Sequence, residues 1–418
     1  MIIDPANLTV QVEGYNGTYD GTEHLAAVST SVTGAQGVVS GYAASYAVTD
    51  ENVQPDENSD VWESSLSVKD VADSGKYYWY KVTATNHNTA IGPFQIQITP
   101  AALTVQQVPA SFAKTYDGDD QLKTDLKGIT IDGAQGSDSI GITDVNGTYE
   151  DKKAGSGKKV TIHLTLSGVT EWGNYQYHGT PLTSGTITLE RGNGQIKPKP
   201  LTVIGGITAA DRVYDGTQTV QLSGTPQFEG KVGTDDVAFQ EVSGLTGSAA
   251  SPDVGKQQVT VQSAGLRSLL TGGDAGNYTV DAFYTGATVT ISQRPVYLQF
   301  PGQTGPDWVK DVPYDPDGVT SQPDVYQVSP KEKDGQSGFV ADEKLEGYID
   351  YSFTDGQDRP IANPTNLGTY TVTAALNDSG KQALHNYSIE AVSGTIHIVK
   401  NSDALTVDIT ASTGLVYN

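Results

Sequence analysis

Carboxylate-rich loops are the part of this 418-residue chain whose residue types and spacing come nearest to a chemical site. Calcium takes roughly six to eight oxygen ligands, which a loop with several acids can supply. Acids crowd two loops, at Asp50, Glu51, Asp56, Glu57 and Asp60 and at Asp315 and Asp317. Neither loop has the glycine that an EF-hand needs at its sixth position. Solvated loop acids are therefore the favoured interpretation, and calcium capture is the alternative.

Motifs for covalent or redox catalysis are missing from the sequence. The six histidines include no pair at metal-binding spacing, and the chain has no cysteine. Ser111 and Lys114 match a Ser-x-x-Lys motif, but they lie in an extended segment, and the companion Ser-Asp-Asn and Lys-Thr-Gly motifs are absent. We therefore predict a protein that is not an enzyme, with no catalytic residue, no metal site and no cofactor.

Aromatic side chains offer the better prospect of a binding surface. Successive residues of a strand point to opposite faces, so Tyr77 and Trp79 share one face while Tyr78 and Tyr80 share the other. We expect the first pair to point inward and the second pair to be exposed, where aromatic rings stack on sugars or anchor a protein partner. Trp172 is a second candidate for ligand contact. Cover by a neighbouring strand or loop is the alternative for all three.

The tripeptide Tyr-Asp-Gly recurs along the chain and returns once in the stretched form Tyr-Asp-Pro-Asp-Gly, with copies 97, 98 and 100 residues apart. Its complete copies are Tyr19, Asp20, Gly21; Tyr116, Asp117, Gly118; and Tyr214, Asp215, Gly216. Asp-Gly favours tight turns, since Asp bonds its own backbone and Gly accepts positive φ. The tyrosine ring can lie on the edge of the core. We therefore predict a structural turn in each copy and no shared active site.

The period implies four tandem repeats, because about 100 residues suffice for an independent domain. We call residues 1–101, 102–200, 201–295 and 296–400 the first to fourth repeats, and residues 401–418 resemble the start of another. Each repeat opens on an apolar strand and closes on an alternating one, and turn residues recur between them. These patterns predict an all-β fold of four Ig-like or β-sandwich-type modules, in an extended, end-to-end array with proline-stiffened joints at Pro100, residues 198–200 and Pro295.

Residues 73–79 read Asp-x-Gly-x-Tyr-x-Trp, which resembles the tyrosine corner of immunoglobulin domains, with Tyr77 as the corner tyrosine and Trp79 in place of the strand cysteine. Tyr370 marks a reduced version of the corner in the fourth repeat. The second and third repeats resemble YDG domains, from the tripeptide through to a Gly-Asn-Tyr segment at residues 173–175 and 276–278. The first and fourth repeats look more like MBG domains.

The resemblance covers essentially residues 5–400, and it implies a tandem-domain region of a large bacterial surface adhesin, extracellular, with its signal and anchor outside this segment. It implies no catalytic residues. Some bacterial surface sandwiches carry Lys–Asn isopeptide bonds, and Lys114 with Asn174 is a conceivable pair here. The other repeats do not keep the lysine, which counts against the bond.

A net charge of −24 argues against nucleic acid as a partner. No run of about eighteen apolar residues occurs, so we expect no membrane insertion. We expect a monomer that acts as an extended stalk or spacer and adhesion region. One alternative is that a module, foremost the first, binds a host glycan, glycoprotein or immunoglobulin. Another is an accessory region of a secreted multidomain enzyme.

Overall fold

The computed structural model describes residues 4–280 and 282–401. It divides into two compact units, one of residues 1–199 with 276–278 and one of residues 200–275 with 279–418. The anticipated start of a further repeat falls almost wholly on residues 402–418, outside the described residues. The fold is all-β, as predicted, and the described residues include two short helices, α1 (Ser263–Arg267) and α2 (Asp378–Ala383). No helix in the described part of the chain is long and apolar enough to cross a membrane.

The described part of the first repeat, residues 4–101, contains ten short strands arranged in small sheets. They are β1 (Thr9–Gly14), β2 (Asn16–Thr18), β3 (His24–Leu25), β4 (Ala27–Gly34), β5 (Gly37–Val38), β6 (Ala43–Thr49), β7 (Ser67–Val68), β8 (Tyr77–Thr83), β9 (Ala90–Phe94) and β10 (Gln97–Thr99). The two three-stranded sheets have the orders β1-β4-β5 and β6-β8-β9, while β2 pairs with β10 and β3 with β7. A 3-10 turn, Val71–Gly75, precedes β8.

The second repeat consists of two four-stranded sheets. Its strands are β11 (Ala101–Gln106), β12 (Phe112–Thr115), β13 (Thr130–Asp132), β14 (Gly141–Tyr149), β15 (Gly155–Ser167), β16 (Tyr175–Tyr177), β17 (Thr180–Pro181) and β18 (Thr186–Lys197). The sheet orders are β13-β11-β16-β17 and β12-β18-β15-β14. A 3-10 turn, Trp172–Asn174, leads into β16.

The third repeat is dominated by one six-stranded sheet of order β21-β23-β26-β27-β30-β22. Its strands are β19 (Lys199–Pro200), β20 (Thr202–Gly205), β21 (Thr208–Ala209), β22 (Arg212–Val213), β23 (Thr219–Ser223), β24 (Gln227–Glu229), β25 (Ala238–Phe239), β26 (Thr246–Ala249), β27 (Gly255–Val261), β28 (Leu270–Thr271), β29 (Tyr278–Thr279) and β30 (Tyr284–Ser292). Two smaller pairs, β20-β24 and β25-β28, complete the part of this repeat in the second unit.

The fourth repeat has a three-stranded sheet, β33-β31-β37, and a five-stranded sheet, β32-β38-β36-β34-β35. Its strands are β31 (Arg294–Gln299), β32 (Val309–Pro313), β33 (Ser329–Lys331), β34 (Ile349–Asp355), β35 (Pro360–Ile361), β36 (Gly368–Leu376), β37 (Tyr387–Ile389) and β38 (Val392–Val399). Its core packs around Phe300 and Trp308, whose rings stack with centroids 4.5 Å apart.

Alternating burial holds the sheets together, as the period-2 patterns predicted. In β15 the side chains of Val160, Ile162 and Leu164 are buried, and the residues between them face outward or lie part-covered. Strand β36 buries Tyr370 and Val372 in the same way. These strands therefore bury one apolar face in the core of their own repeat.

A parallel strand pair recurs just before every Tyr-Asp-Gly copy. The short strand that leads into the tripeptide runs parallel to the closing strand of the same repeat, as β2 with β10, β12 with β18, β22 with β30 and β32 with β38. Each tripeptide is thus fixed at the end of its repeat where the chain leaves the closing strand.

Candidate functional site

The aspartate after the tyrosine forms a similar turn in all four copies, although two residues separate it from the glycine in the fourth. The aspartate carboxylate accepts the backbone N–H two residues later, as from Thr22 to Asp20 (2.9 Å) and from Thr217 to Asp215 (2.8 Å). The glycine takes a positive φ in every copy, between 75° and 89°. A basic side chain near the turn differs between copies, since Lys114 contacts Asp117 (2.6 Å), whereas His24 contacts Asp20.

These contacts lower the pKa values of acidic side chains at the turn. The hydrogen bond from His24, together with those from Thr22, lowers the pKa of Asp20 to about 2. The Lys114 ammonium likewise lowers the pKa of Asp119 to about 2. Asp20 and Asp119 are therefore charged at neutral pH, and both accept backbone N–H groups of the turn.

The tyrosine of each complete copy is anchored by its backbone. The Tyr19 N–H donates to the Thr99 carbonyl (2.8 Å), at the end of the closing strand of the same repeat. Tyr116 and Tyr214 make the equivalent bonds. All three side chains are nearly covered, with 4%, 1% and 7% exposure respectively. What covers them is a segment from the following repeat.

The covering group is the Asn-Tyr pair of the next repeat. Its tyrosine meets the tripeptide tyrosine edge to face, with centroids 5.5 Å apart in each case and interplanar angles of 77°, 74° and 81°. The pairs are Tyr19 with Tyr175, Tyr116 with Tyr278, and Tyr214 with Tyr387. The first two pairs lie within the first unit, which includes residues 276–278, and the third lies within the second unit.

The asparagine beside that tyrosine caps a backbone N–H of the preceding repeat. Asn174 accepts from the Val71 N–H (2.8 Å), Asn277 from Ala154 (2.9 Å) and Asn386 from Val254 (2.9 Å). The Nδ2 of Asn174 also donates to Asp70 (2.7 Å), and the Nδ2 of Asn386 donates to Asp253 (2.9 Å). All three asparagines are buried. Buried amides with several partners fix one geometry, because a lost partner leaves a polar group unsatisfied.

We call each set a tyrosine–asparagine joint. The first joint comprises Tyr19, Val71, Asn174 and Tyr175; the second comprises Tyr116, Ala154, Asn277 and Tyr278; the third comprises Tyr214, Val254, Asn386 and Tyr387.

An acidic side chain closes the first and third joints. Asp138 accepts from the hydroxyls of both Tyr19 (3.0 Å) and Tyr175 (2.6 Å). In the third joint Glu343 accepts from Tyr387 and also faces Tyr214. Burial, followed by the bond to Asp138, raises the pKa of Tyr19 to about 12. Burial likewise raises the pKa of Glu343.

The tripeptide glycine allows the repeats to approach closely at the first joint. A Cβ on Gly21 would lie 2.9 Å from the Cα of Gly136, which is closer than real Cβ contacts allow. At the third joint a Cβ on Gly216 would meet the Val340 side chain at 3.0 Å. Tyrosine, aspartate and glycine thus have separate tasks: ring contact, turn formation and close approach.

The aromatic strand departs from the prediction at Tyr77 and Tyr78, whose exposures are exchanged, whereas Trp79 is buried as predicted. Tyr78 is buried and its hydroxyl donates to the Asp73 carbonyl (3.1 Å), so Tyr78 and not Tyr77 makes the corner bond. Tyr77 is exposed, and Tyr80 lies part-buried against Gly92. The reason is where the strand begins: Tyr77 is the first residue of β8, directly after the 3-10 turn, and the covered part of the strand starts at Tyr78.

The other aromatic positions are largely covered. Trp79 is buried, and its indole N–H donates to Thr49 (3.1 Å). The predicted ligand contact at Tyr78 is wrong, because its ring lies in the core. Trp172 is part-buried beside Gly185. Tyr370 is buried, and its hydroxyl donates to the Asn366 carbonyl (3.0 Å), which is the corner geometry in the fourth repeat. Ligand contact at Tyr80 or Trp172 stays a prediction.

The described residues are not arranged for the proposed isopeptide bond or for a calcium site. The Lys114 ammonium contacts Asp117 and Asp119, whereas Asn174 bonds to Asp70 and Val71, so the two side chains belong to separate networks. Within residues 4–280 and 282–401, no group of three or more His, Cys, Asp or Glu is arranged to hold a metal ion.

Comparison with family models agrees with the repeat types inferred above. Residues 99–183 and 197–288 match the YDG domain, and residues 309–411 match the MBG domain. Two YDG domains and one MBG domain lie in tandem in this chain. The two YDG domains supply the Asn-Tyr pairs of the first two joints, and the MBG domain supplies that of the third. An MBG-type identity for the first repeat stays a prediction.

Solved structures of tandem β-domain proteins show only distant likeness. Domains 4–9 of the surface layer protein SbsC are 12% identical over 94% of this chain and 66% of that chain, with a TM-score of 0.20. A three-domain Ig fragment of titin is 12% identical over 68% of this chain and 98% of its own, with a TM-score of 0.22. The human desmocollin-1 ectodomain is 8% identical over 87% and 75%, with a TM-score of 0.23. No curated protein matches the sequence.

The residues that complete the joints were not predicted as contact residues. Asn174 was considered only for an isopeptide bond and, like Asn277, as part of a Gly-Asn-Tyr segment, while Asn386, Asp138 and Glu343 were not singled out. A signal was available: the Asn-Tyr pair recurs in the second to fourth repeats, each one repeat after a complete Tyr-Asp-Gly.

Proposed function

We propose that this chain is a non-catalytic repeat region of a bacterial cell-surface protein that serves as an extended stalk. The observation that carries the proposal is the tyrosine–asparagine joint, which occurs three times with nearly the same ring geometry. A joint that fixes a backbone N–H, two rings and a hydroxyl at once restricts bending between consecutive repeats. The YDG and MBG matches support an extracellular, surface-exposed setting.

Small-angle X-ray scattering of the intact chain tests the stalk. Four repeats of about 7–9-residue strands at ~3.3 Å per residue, with end loops, span on the order of 150 Å. A rod of that length has a radius of gyration of roughly 40 Å, whereas a compact globule of 418 residues would have about 22 Å. We expect a value near the rod. A value near the globule contradicts the proposal.

A variant that weakens the three joints provides the matched control for the scattering experiment. The triple variant Asn174→Ala, Asn277→Ala and Asn386→Ala keeps every tyrosine ring but removes the three backbone caps. We expect a broader distribution of maximum dimensions, because consecutive repeats gain freedom to bend. An identical scattering curve for the variant would mean that the joints do not set the stiffness.

Adhesion is a second candidate, favoured by one observation on the first repeat. Tyr77 is exposed beside a groove that Asn16, Asn52 and Gln97 also line. An aromatic ring next to amide side chains suits a sugar, which stacks on the ring and bonds to the amides. We expect Tyr77→Ala to abolish retention on a host-glycan array while leaving the thermal unfolding unchanged. If the unmodified chain retains no glycan on the array, the adhesion proposal is wrong.

A further inference from the structure

The fourth repeat carries the tripeptide end of a joint, but no Asn-Tyr pair among residues 4–280 and 282–401 covers it. The Tyr314 N–H donates to the Val399 carbonyl (2.9 Å), as Tyr19 does to Thr99. Asp315 accepts from the Asp317 N–H (2.9 Å), and Gly318 has a φ of 78°. The tyrosine anchor and the aspartate turn of a joint are therefore formed here, with two additional residues before the glycine. The side chain of Tyr314 is nevertheless 44% exposed, whereas no tyrosine at the same position of the other repeats exceeds 7%.

The position that an asparagine caps in the other joints is also open. Ala154, Val254 and Leu367 each precede a glycine that pairs with an isoleucine of the closing strand, so the three are equivalent by register. Leu367 is 49% exposed. No hydrogen bond within the described residues engages its N–H. The fourth repeat therefore exposes both the tyrosine position and the backbone position that a following repeat contacts in the other joints.

We propose that this surface, formed by Tyr314, Asn366 and Leu367, docks the Asn-Tyr segment of a further repeat joined in the same chain. The incoming asparagine caps the Leu367 N–H and donates to the side-chain oxygen of Asn366, as Asn386 does to Val254 and Asp253. The incoming tyrosine packs edge to face on Tyr314. An acid of the same repeat accepts from the two hydroxyls, as Asp138 does in the first joint.

A second copy of this chain is a poor occupant. Its three Asn-Tyr pairs are buried in its own joints. The first repeat has Thr89 after Asn88, and Asn88 donates to Asn7 within that repeat (2.8 Å). The occupant must therefore be another repeat with a free Asn-Tyr pair. This inference goes beyond the stalk proposal, because it concerns one surface and holds whatever the stalk carries.

The test compares the chain as it is with an extended chain, in which a second copy of residues 198–295 follows directly after Val399. Nitration of tyrosine by tetranitromethane, quantified by peptide mass spectrometry, reports exposure of Tyr314. Tyr19 and Tyr214 are the buried references in the same sample. We expect ready nitration of Tyr314 in the chain as it is and at least about tenfold slower nitration in the extended chain, since a closed joint protects its residues.

A matched variant isolates the asparagine cap. Asn277→Ala in the appended copy alone should restore nitration of Tyr314 and speed hydrogen exchange at the Leu367 amide. Exchange protection in the β27 segment of the appended copy shows that this copy has folded. Equal nitration of Tyr314 with and without a folded appended copy overturns the proposal, and so does protection of Tyr314 in the chain as it is. Protection that rises with protein concentration would indicate a second chain and overturn docking within one chain.

Discussion

Each joint depends on a single buried asparagine that bonds to the backbone of the neighbouring repeat. An amide suits this position because it accepts and donates at once, so Asn174 satisfies both the Val71 N–H and the Asp70 carboxylate. Aspartate at the same place would accept the N–H but repel Asp70. A buried donor without a partner is costly, which makes the asparagine the sensitive residue of the joint.

Asn174→Ala should destabilise the first joint by about 1–3 kcal/mol, because it leaves the Val71 N–H without an acceptor. The measurement is hydrogen exchange at the Val71 amide together with thermal unfolding. Asn146→Ala is the matched control, since Asn146 is exposed and bonds only to nearby Asp144. Unchanged exchange at Val71 in Asn174→Ala would show that another group holds that amide.

The raised pKa of Tyr19 determines the pH at which its hydroxyl stops stabilising the first joint. The pKa of Tyr19 is raised from 10.0 to about 12, foremost by burial. A folded pKa above the unfolded one means that this contribution is complete below pH 10 and is lost as the pH rises from 10 through 12. Carbon-13 tyrosine NMR should place the Tyr19 titration near 12, with Tyr19→Phe identifying the resonance. A Tyr19 midpoint at 10 would show that the ring is exposed to water in solution.

At the scale of elements, the residue at which a strand begins decides which tyrosine holds the corner. In β8 the buried Tyr78 bonds to the Asp73 carbonyl, and the neighbouring Tyr77 points to solvent. Tyr78→Phe should lower stability by about 1 kcal/mol through loss of this bond. Tyr77→Phe removes the same atom from an exposed ring and should be neutral. Equal unfolding midpoints for the two variants would contradict the corner assignment.

Close approach at the first joint makes Gly21 more sensitive than a turn glycine in open space. Gly21 and Gly41 have φ values of 75° and 77°, but a Cβ on Gly41 would meet nothing within 4 Å. Alanine at either site costs roughly 1–2 kcal/mol for the left-handed backbone. Gly21→Ala should cost more, because its Cβ also meets the backbone of Gly136. Thermal unfolding of the two variants measures the difference in stability. Equal losses of stability would mean that Gly136 moves away from the new Cβ at little cost.

Local patterns in the sequence were sufficient for the sheets but not for the joints. The sequence alternates between apolar and polar residues at 160–166, and burial in β15 follows the same two-residue period. The same period could not fix which residues of β8 are covered, because the preceding 3-10 turn sets where the strand begins. The contact between Tyr19 and Asp138 joins residues 119 positions apart. No local rule links two sites that far apart, although Tyr19 itself lies in a motif that the sequence displays.

At the scale of the whole molecule, one contact scheme serves domains of two families. The second joint uses a YDG domain on both sides, while the third takes its tripeptide from a YDG domain and its Asn-Tyr pair from an MBG domain. The acid changes with the partner, from Asp138 in the first joint to Glu343 in the third. The ring geometry is kept. Interchangeable domain types with a common joint allow the length of a repeat region to vary without a new interface.

The parallel pairing of each closing strand also determines how a repeat responds to a pulling force. Tension along two parallel strands loads their hydrogen bonds in shear, so the bonds must fail together and not one after another. The number of paired residues is five for β32 with β38, four for β12 with β18, three for β2 with β10 and two for β22 with β30. Single-molecule force spectroscopy should therefore record the third repeat rupturing first and the fourth repeat last.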